Sequence, residues 1–269
     1  MNELLSLLEY RFFTNALLAS VFTAITCGIM GTYVVSRRIV FVSGGITHAS
    51  FGGIGIAHFL GLNPVLGATV FALLTGMGIE GFSSRGNIRN DSVIAMLWSL
   101  GMAIGIIFIY LTPGYAPNLM SYLFGNILTI NTMDLRFLAL LSVIVILFFM
   151  LFYRQILYIS FDEEFARSQN MKVNLINFSL MALVSLSIVL NIKTVGIILL
   201  ISLLTVPQNT ANLFTKDFKK IIYYSVLIAF LGSFSGLIIS YYLDIPSGAA
   251  IIFNLILIYL IARLIRMLV

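Results

Sequence analysis

His48 sits near the middle of residues 41–61, FVSGGITHASFGGIGIAHFLG, a stretch without formal charge and long enough to cross a bilayer. An imidazole at that depth is polar and titratable where both properties are costly, so it faces a protein interior or a watery path rather than lipid. Gly44 and Gly52 lie one helical turn to either side of it and offer no side chain to cover the ring. Thr47 adds a hydroxyl beside it. Two readings are open: a histidine held by a hydrogen bond to a neighbouring helix, or a group lining a substrate pathway. His58, ten residues on, is about 80° away around the helix and reads as interfacial.

A second polar cluster follows Pro207 in LLTVPQNTANLF. A proline inside a span has no N–H to donate, which frees the carbonyl near residue 203 and invites a kink. Gln208, Asn209, Thr210 and Asn212 follow at once. Gln208 and Asn209 are expected to face the interior, with Asn212 near the membrane surface. The third cluster, SFDEEFARSQNMKV at 160–173, is the longest polar stretch on the expected cytoplasmic side. Asp162, Glu163 and Glu164 open it, and Arg167 and Lys172 close it, matching the charge preference of a short helix. Phe161 and Phe165 are four apart and would form an apolar ridge. A solvated connecting helix and a docking surface for a cytoplasmic partner both fit.

The elements that must position these groups are membrane helices. Only 9% of the 269 residues are charged, against about 25% in a soluble domain. With 60% hydrophobic residues and a mean hydropathy of +1.08, the chain cannot clothe itself in a polar surface. The fold class is all-α, a polytopic helical membrane protein occupying 1–269 as a single transmembrane domain. Apolar runs place spans near 12–36, 40–61, 64–82, 92–111, 135–153, 175–191, 194–213, 221–242 and 247–265. Nine is the count; the short linkers at 37–39, 62–63 and 192–193 leave eight open.

Charge placement orients the spans. With the N-terminus outside, twelve of the fifteen Lys and Arg residues fall in cytoplasmic segments, and only Arg11, Arg136 and Lys193 fall outside. The basic net charge of +5 is therefore a topology signal rather than a sign of nucleic-acid binding. Gly101-xxx-Gly105 and Gly232-xxx-Gly236-xxx-Ser240 supply faces for close helix packing, as do Gly45, Ala49 and Gly53. The longest external connection, 112–133, reads as a packed cap. Cys27 is the single cysteine, which excludes an internal disulfide and a cysteine metal cage. No G-x-x-x-x-G-K-[ST], G-x-S-x-G or H-E-x-x-H occurs, so the chain carries no ATP-binding P-loop and no hydrolase signature. The N-terminus does not read as a cleaved signal peptide, and no internal repeat is visible.

Five stretches in register carry a resemblance: GGITHASFGG at 44–53, YLFGNIL at 122–128, FDEEFAR at 161–167, VGIILLISLLTVP at 195–207 and DIPSGA at 244–249. In order and spacing they resemble the permease subunits of zinc/manganese/iron-type ABC importers, from about Phe12 to the C-terminus. The resemblance implies the ABC importer permease fold and a homodimer in a prokaryotic cytoplasmic membrane. It also implies two copies of a separate cytoplasmic ATP-binding subunit, an extracytoplasmic metal-binding receptor, and no catalytic activity in this chain. No cofactor is bound permanently; the transported zinc, manganese or iron ion is cargo. His48 corresponds to the family's pathway histidine and is the metal-site candidate. Thr47, Gly44, Gly52, Gln208 and Asn209 are further pathway candidates. Phe161, Asp162, Glu164, Phe165 and Arg167 fall in the ATPase-coupling region. Two features depart from the family pattern. Gly44 stands where such permeases carry Asp, and Gln208, Asn209 and Asn212 stand where they carry small residues or Arg. Gln208 or Asn209 is the candidate source of the missing oxygen. A metal-chelate importer and an ion-coupled carrier without an ATPase are the alternatives.

Overall fold

A computed structural model describes residues 10–85, 88–113 and 130–268. The 122–128 stretch and most of the 112–133 connection lie outside them. The described helices are α1 (Arg11–Ser36), α2 (Val40–Phe59), α3 (Pro64–Arg85), α4 (Asn90–Leu111), α5 (Thr132–Phe161), α6 (Glu163–Ser168), α7 (Val173–Leu203), α8 (Val206–Phe214), α9 (Phe218–Leu243) and α10 (Ser247–Leu268). Among the described residues there is no strand, and nine helical segments are long and apolar enough to cross a membrane.

Span positions follow the apolar runs to within a few residues, with two exceptions. α5 continues eight residues past the expected end, through a non-helical Phe152 (φ −108°, ψ 18°), to Phe161. Arg154 and Gln155 lower the local hydropathy there, but Ile156, Ile159 and Ser160 keep one buried face at helical spacing. The second is the joint between the sixth and seventh candidate spans, Val173–Ile192 and Thr194–Phe214: their boundary is where expected, but the backbone runs helical through it and breaks at Gly196 (φ 77°, ψ 167°), a conformation essentially confined to glycine. The seventh span is then interrupted again at Leu204–Thr205, where the proline-led α8 begins.

The chain forms two compact units. One contains Ser36–Leu119 and Phe152–Val189. Within it α2 packs against α3 and α4 with almost no side-chain layer between the backbones. A Cβ at Gly53 would overlap the Gly67 carbonyl, one at Gly52 would meet the Gly101 carbonyl, and one at Gly55 the Gly105 carbonyl. Gly101 in turn lies against the backbone of Ala49. This is the small-residue packing expected of membrane helices.

The other unit contains Met1–Val35, Met120–Leu151 and Leu190–Val269. Here Gly232 and Gly236 of α9 receive Leu255 and the backbone of Ile251 from α10. Asn254 Nδ2 secures the crossing by donating to Gly232 O (2.9 Å) and Ser235 Oγ (2.7 Å). Thr23, Thr26 and Asn191, all buried, join α1 to α7: Thr23 Oγ1 donates to Asn191 Oδ1 at 2.6 Å, and Asn191 Nδ2 donates to Thr26 Oγ1 at 3.3 Å.

Candidate functional site

His48 lies mid-way along α2 and is half-buried. Its ring is not bare: the indole of Trp98, from α4, stacks on it with centroids 4.5 Å apart and planes 4° from parallel. Gly44 and Gly52 are buried, and Gly52 serves the contact with Gly101 and Phe71. Thr47 is buried too and donates its hydroxyl proton to Ser43 O one turn back. On α2, then, His48 is half-exposed, as is His58 near the helix end, and the glycine and threonine neighbours of His48 are buried. Among the described residues no three His, Cys, Asp or Glu side chains come together as a metal-binding group.

The polar cluster after Pro207 belongs to the other unit. Pro207 lies in the first turn of α8, and the carbonyl four residues earlier, Leu203 O, is indeed left without its helical donor. Gln208 supplies the replacement. Its Nε2 donates to Leu203 O at 3.2 Å and to Cys27 O of α1 at 2.9 Å, and Gly31 leaves the space that the amide fills. The side chain is fully buried, and its Oε1 has no hydrogen-bond partner among the described residues. Asn209 is exposed, contrary to the inward placement expected from sequence, and its Nδ2 donates to Thr205 O (2.8 Å). Thr210 points inward instead and bonds to Val206 O. Asn212 is half-buried, its carbonyl accepting from Lys216 Nζ.

The 160–173 segment folds as the short helix α6 between α5 and α7, in the same unit as α2. Asp162 caps it: its Oδ1 accepts from Phe165 N at 2.9 Å. The helix ends with Asn170 in the left-handed region (φ 59°). Met171 N reaches Ala166 O and Asn170 N reaches Arg167 O, satisfying the last carbonyls. Ala166 is the buried side; Phe161 (64% exposed), Glu164 and Phe165 (44% exposed) form the outer side. Phe165 also meets Tyr158 edge-on at 5.5 Å.

Two residues that the sequence reading gave no role stand out. One is Trp98. The other is Arg37, read only as one of the cytoplasmic charges. Its guanidinium donates to Glu163 Oε2 (2.9 Å) and to Ile159 O (2.8 Å), while Arg167 donates to Glu163 Oε1 (2.7 Å) and to Asn174 Oδ1 (2.9 Å). Partial burial raises the Glu163 carboxyl, but the hydrogen bonds and charges of Arg167 and Arg37 outweigh it and hold the group below its ordinary value of 4.5. Sequence pattern shows Arg167 at i+4 from Glu163; it gives no sign of Arg37, 126 residues away.

Known proteins resemble this chain from end to end. An uncharacterized membrane protein of Synechocystis is 36% identical over 96% of this chain and 92% of its own length. The manganese transport system membrane protein MntC of Listeria monocytogenes is 32% identical over 96% of this chain and 92% of its own. Among solved structures, PsaBC from Streptococcus pneumoniae, in complex with Fab, superposes with a TM-score of 0.85 at 30% identity, covering 97% of this chain and 94% of that one. The ABC 3 transport family matches residues 9–266. With nine apolar helices among the described residues and a family match of that extent, the chain is an integral membrane protein and a transport component belonging to the ABC 3 transport family.

Proposed function

We propose that this chain is the membrane-spanning permease subunit of an ATP-driven importer of a divalent transition-metal cation, manganese, zinc or iron, in a prokaryotic cytoplasmic membrane. The observation that carries the reading is the end-to-end likeness to a manganese transport system membrane protein. The match over 9–266 supports reading residues 1–269 as one permease domain. Two copies of the chain would form the path, with ATP hydrolysed on separate cytoplasmic subunits and the cation delivered by an extracytoplasmic receptor.

In this reading His48 offers its in-plane nitrogen lone pair to the passing cation. Thr47, Gly44 and Gly52 shape the helix that presents it, and Gln208 and Asn209 belong to the path. With glycine at position 44, no carboxylate stands one turn from the imidazole. The contact is weak, which suits a cation that must leave again. Phe161, Asp162, Glu164, Phe165 and Arg167 belong to the surface that receives the ATPase, supported by the exposed aromatic ridge on a capped helix.

Radiometal uptake in cells lacking the native gene tests the reading, comparing manganese, zinc and iron. His48→Ala and His48→Gln should both lose most uptake while the protein level holds, because glutamine keeps hydrogen bonding but not the nitrogen ligand. Gly44→Asp should tighten cation binding and slow release. Full uptake in His48→Gln, with metal dependence untouched by Gly44→Asp, would make His48 a structural residue.

A further inference from the structure

We propose that Arg37 is a positioning residue that ties the ATPase-receiving helix α6 to the helix carrying His48. The proposal rests on the reading of residues 161–172 as the ATPase surface. Arg37 joins three partners through one guanidinium and one shared carboxylate. It holds the carbonyl of Ile159 at the end of α5 and Glu163 at the start of α6, and Glu163 in turn holds Arg167, which reaches Asn174 at the start of α7. The Arg37 and Glu163 side chains are 20% and 30% exposed, so the pair is partly withdrawn from water and better protected from screening than a surface ion pair. Charge-assisted hydrogen bonds are stronger than neutral ones, and here one Arg37 nitrogen serves both the Ile159 carbonyl and Glu163 Oε2, while Arg167 takes the other carboxylate oxygen.

The place of Arg37 in the chain gives the network its consequence. Arg37, Arg38 and Ile39 are the whole connection between α1 and α2, and Arg38 is turned into the left-handed region (φ 59°). Val40 opens α2, and His48 is eight residues further, about 12 Å along an unbroken helix. α2 is held to α3 and α4 by backbone-to-backbone contacts, which leave little freedom for it to slide or roll independently. A push on α6 therefore reaches the first turn of α2 through Glu163 and Arg37, and the helix delivers it to the imidazole. The outward residues Phe161, Glu164 and Phe165 take no part in these hydrogen bonds. Docking at these three and transmission through Arg37 and Glu163 thus fall on different side chains, with Arg167 shared by both surfaces.

The test uses the full transporter, permease with its ATPase, purified and reconstituted in vesicles with manganese as the probe, alongside Phe165→Ala and Glu164→Lys. Arg37→Gln and the shape-conserving Glu163→Gln should co-purify normal amounts of ATPase and still hydrolyse ATP, while manganese taken up per ATP falls about tenfold, as expected for a lost charge-assisted hydrogen bond. Arg37→Lys should recover only part of this. Unchanged uptake per ATP in both Gln variants overturns the proposal, and so does loss of ATPase association, which would make Arg37 a docking residue. Thermal unfolding of each complex separates a transmission defect from misfolding; if Arg37→Gln does not fold, Glu163→Gln carries the same expectation. Failure of the docking reading shows separately, as full ATPase association in both Phe165→Ala and Glu164→Lys.

Discussion

The imidazole of His48 lies flat on the indole of Trp98, 4.5 Å between centroids. Stacking occupies a face of the ring and leaves its edges, where the nitrogen lone pairs lie, free for a ligand. It also restricts rotation of a side chain whose neighbours Gly44 and Gly52 do nothing to hold it.

Trp98 is the only tryptophan in the chain, so its fluorescence reports on that one contact. Addition of manganese or zinc to the purified permease should change the emission intensity, and His48→Ala should abolish the saturable part of that change. An identical titration in wild type and His48→Ala would show that no cation binds at the imidazole.

Gln208→Leu fills a similar volume but leaves Leu203 O and Cys27 O without donors in a buried setting. Each orphaned carbonyl costs about 1–3 kcal/mol. The variant should lower the unfolding temperature of the detergent-purified protein, and Gln208→Glu, which when protonated can still donate once, should lie between. Equal stability of Gln208→Leu and wild type would mean that the amide does not support the break at Pro207.

Glu163 has a folded-state value below 4.5, so it stabilises the folded state whenever the pH is above that ordinary value. The contribution is constant through the neutral range and is lost as the pH falls below 4.5 through the folded-state value. Stability of wild type and Glu163→Gln should thus differ by a fixed amount from pH 6 to 8 and converge in more acidic buffer, read by thermal unfolding. A difference that grows toward low pH would contradict the assignment of the two guanidinium contacts.

With nine candidate spans among the described residues and twelve of the fifteen Lys and Arg residues on one side, the N-terminus is expected outside and the C-terminus in the cytoplasm. A reporter active only in the cytoplasm should work when fused after Val269, and a tag at Met1 should be open to impermeant label. Both ends on the cytoplasmic side would require an even number of spans.

What the sequence made legible here was set by local physics. Span positions follow from apolar length, the helix break from Pro207, and the short helix α6 from acidic residues at its start and basic ones at its end. Even the orphaned carbonyl at Leu203 could be named, because a missing N–H always strands the oxygen four residues back. Trp98 over His48 and Arg37 at Glu163 were invisible, since each pairs residues on different helices at separations that no periodicity encodes. The outward placement of Asn209 was invisible for a simpler reason: polar character does not fix a residue's angle around the helix.

Gly196 holds a backbone conformation (φ 77°, ψ 167°) unlike that of Arg38, Asn170 and Asp244, whose positive φ values of 52–59° suit other side chains. The difference matters in genetic terms. Every missense change in a glycine codon installs a Cβ, and at this φ and ψ each replacement brings strain of about 1–3 kcal/mol whatever its chemistry. Codon 196 has no conservative neighbour to drift through, so revertants of a mutation there should arise by restoring glycine.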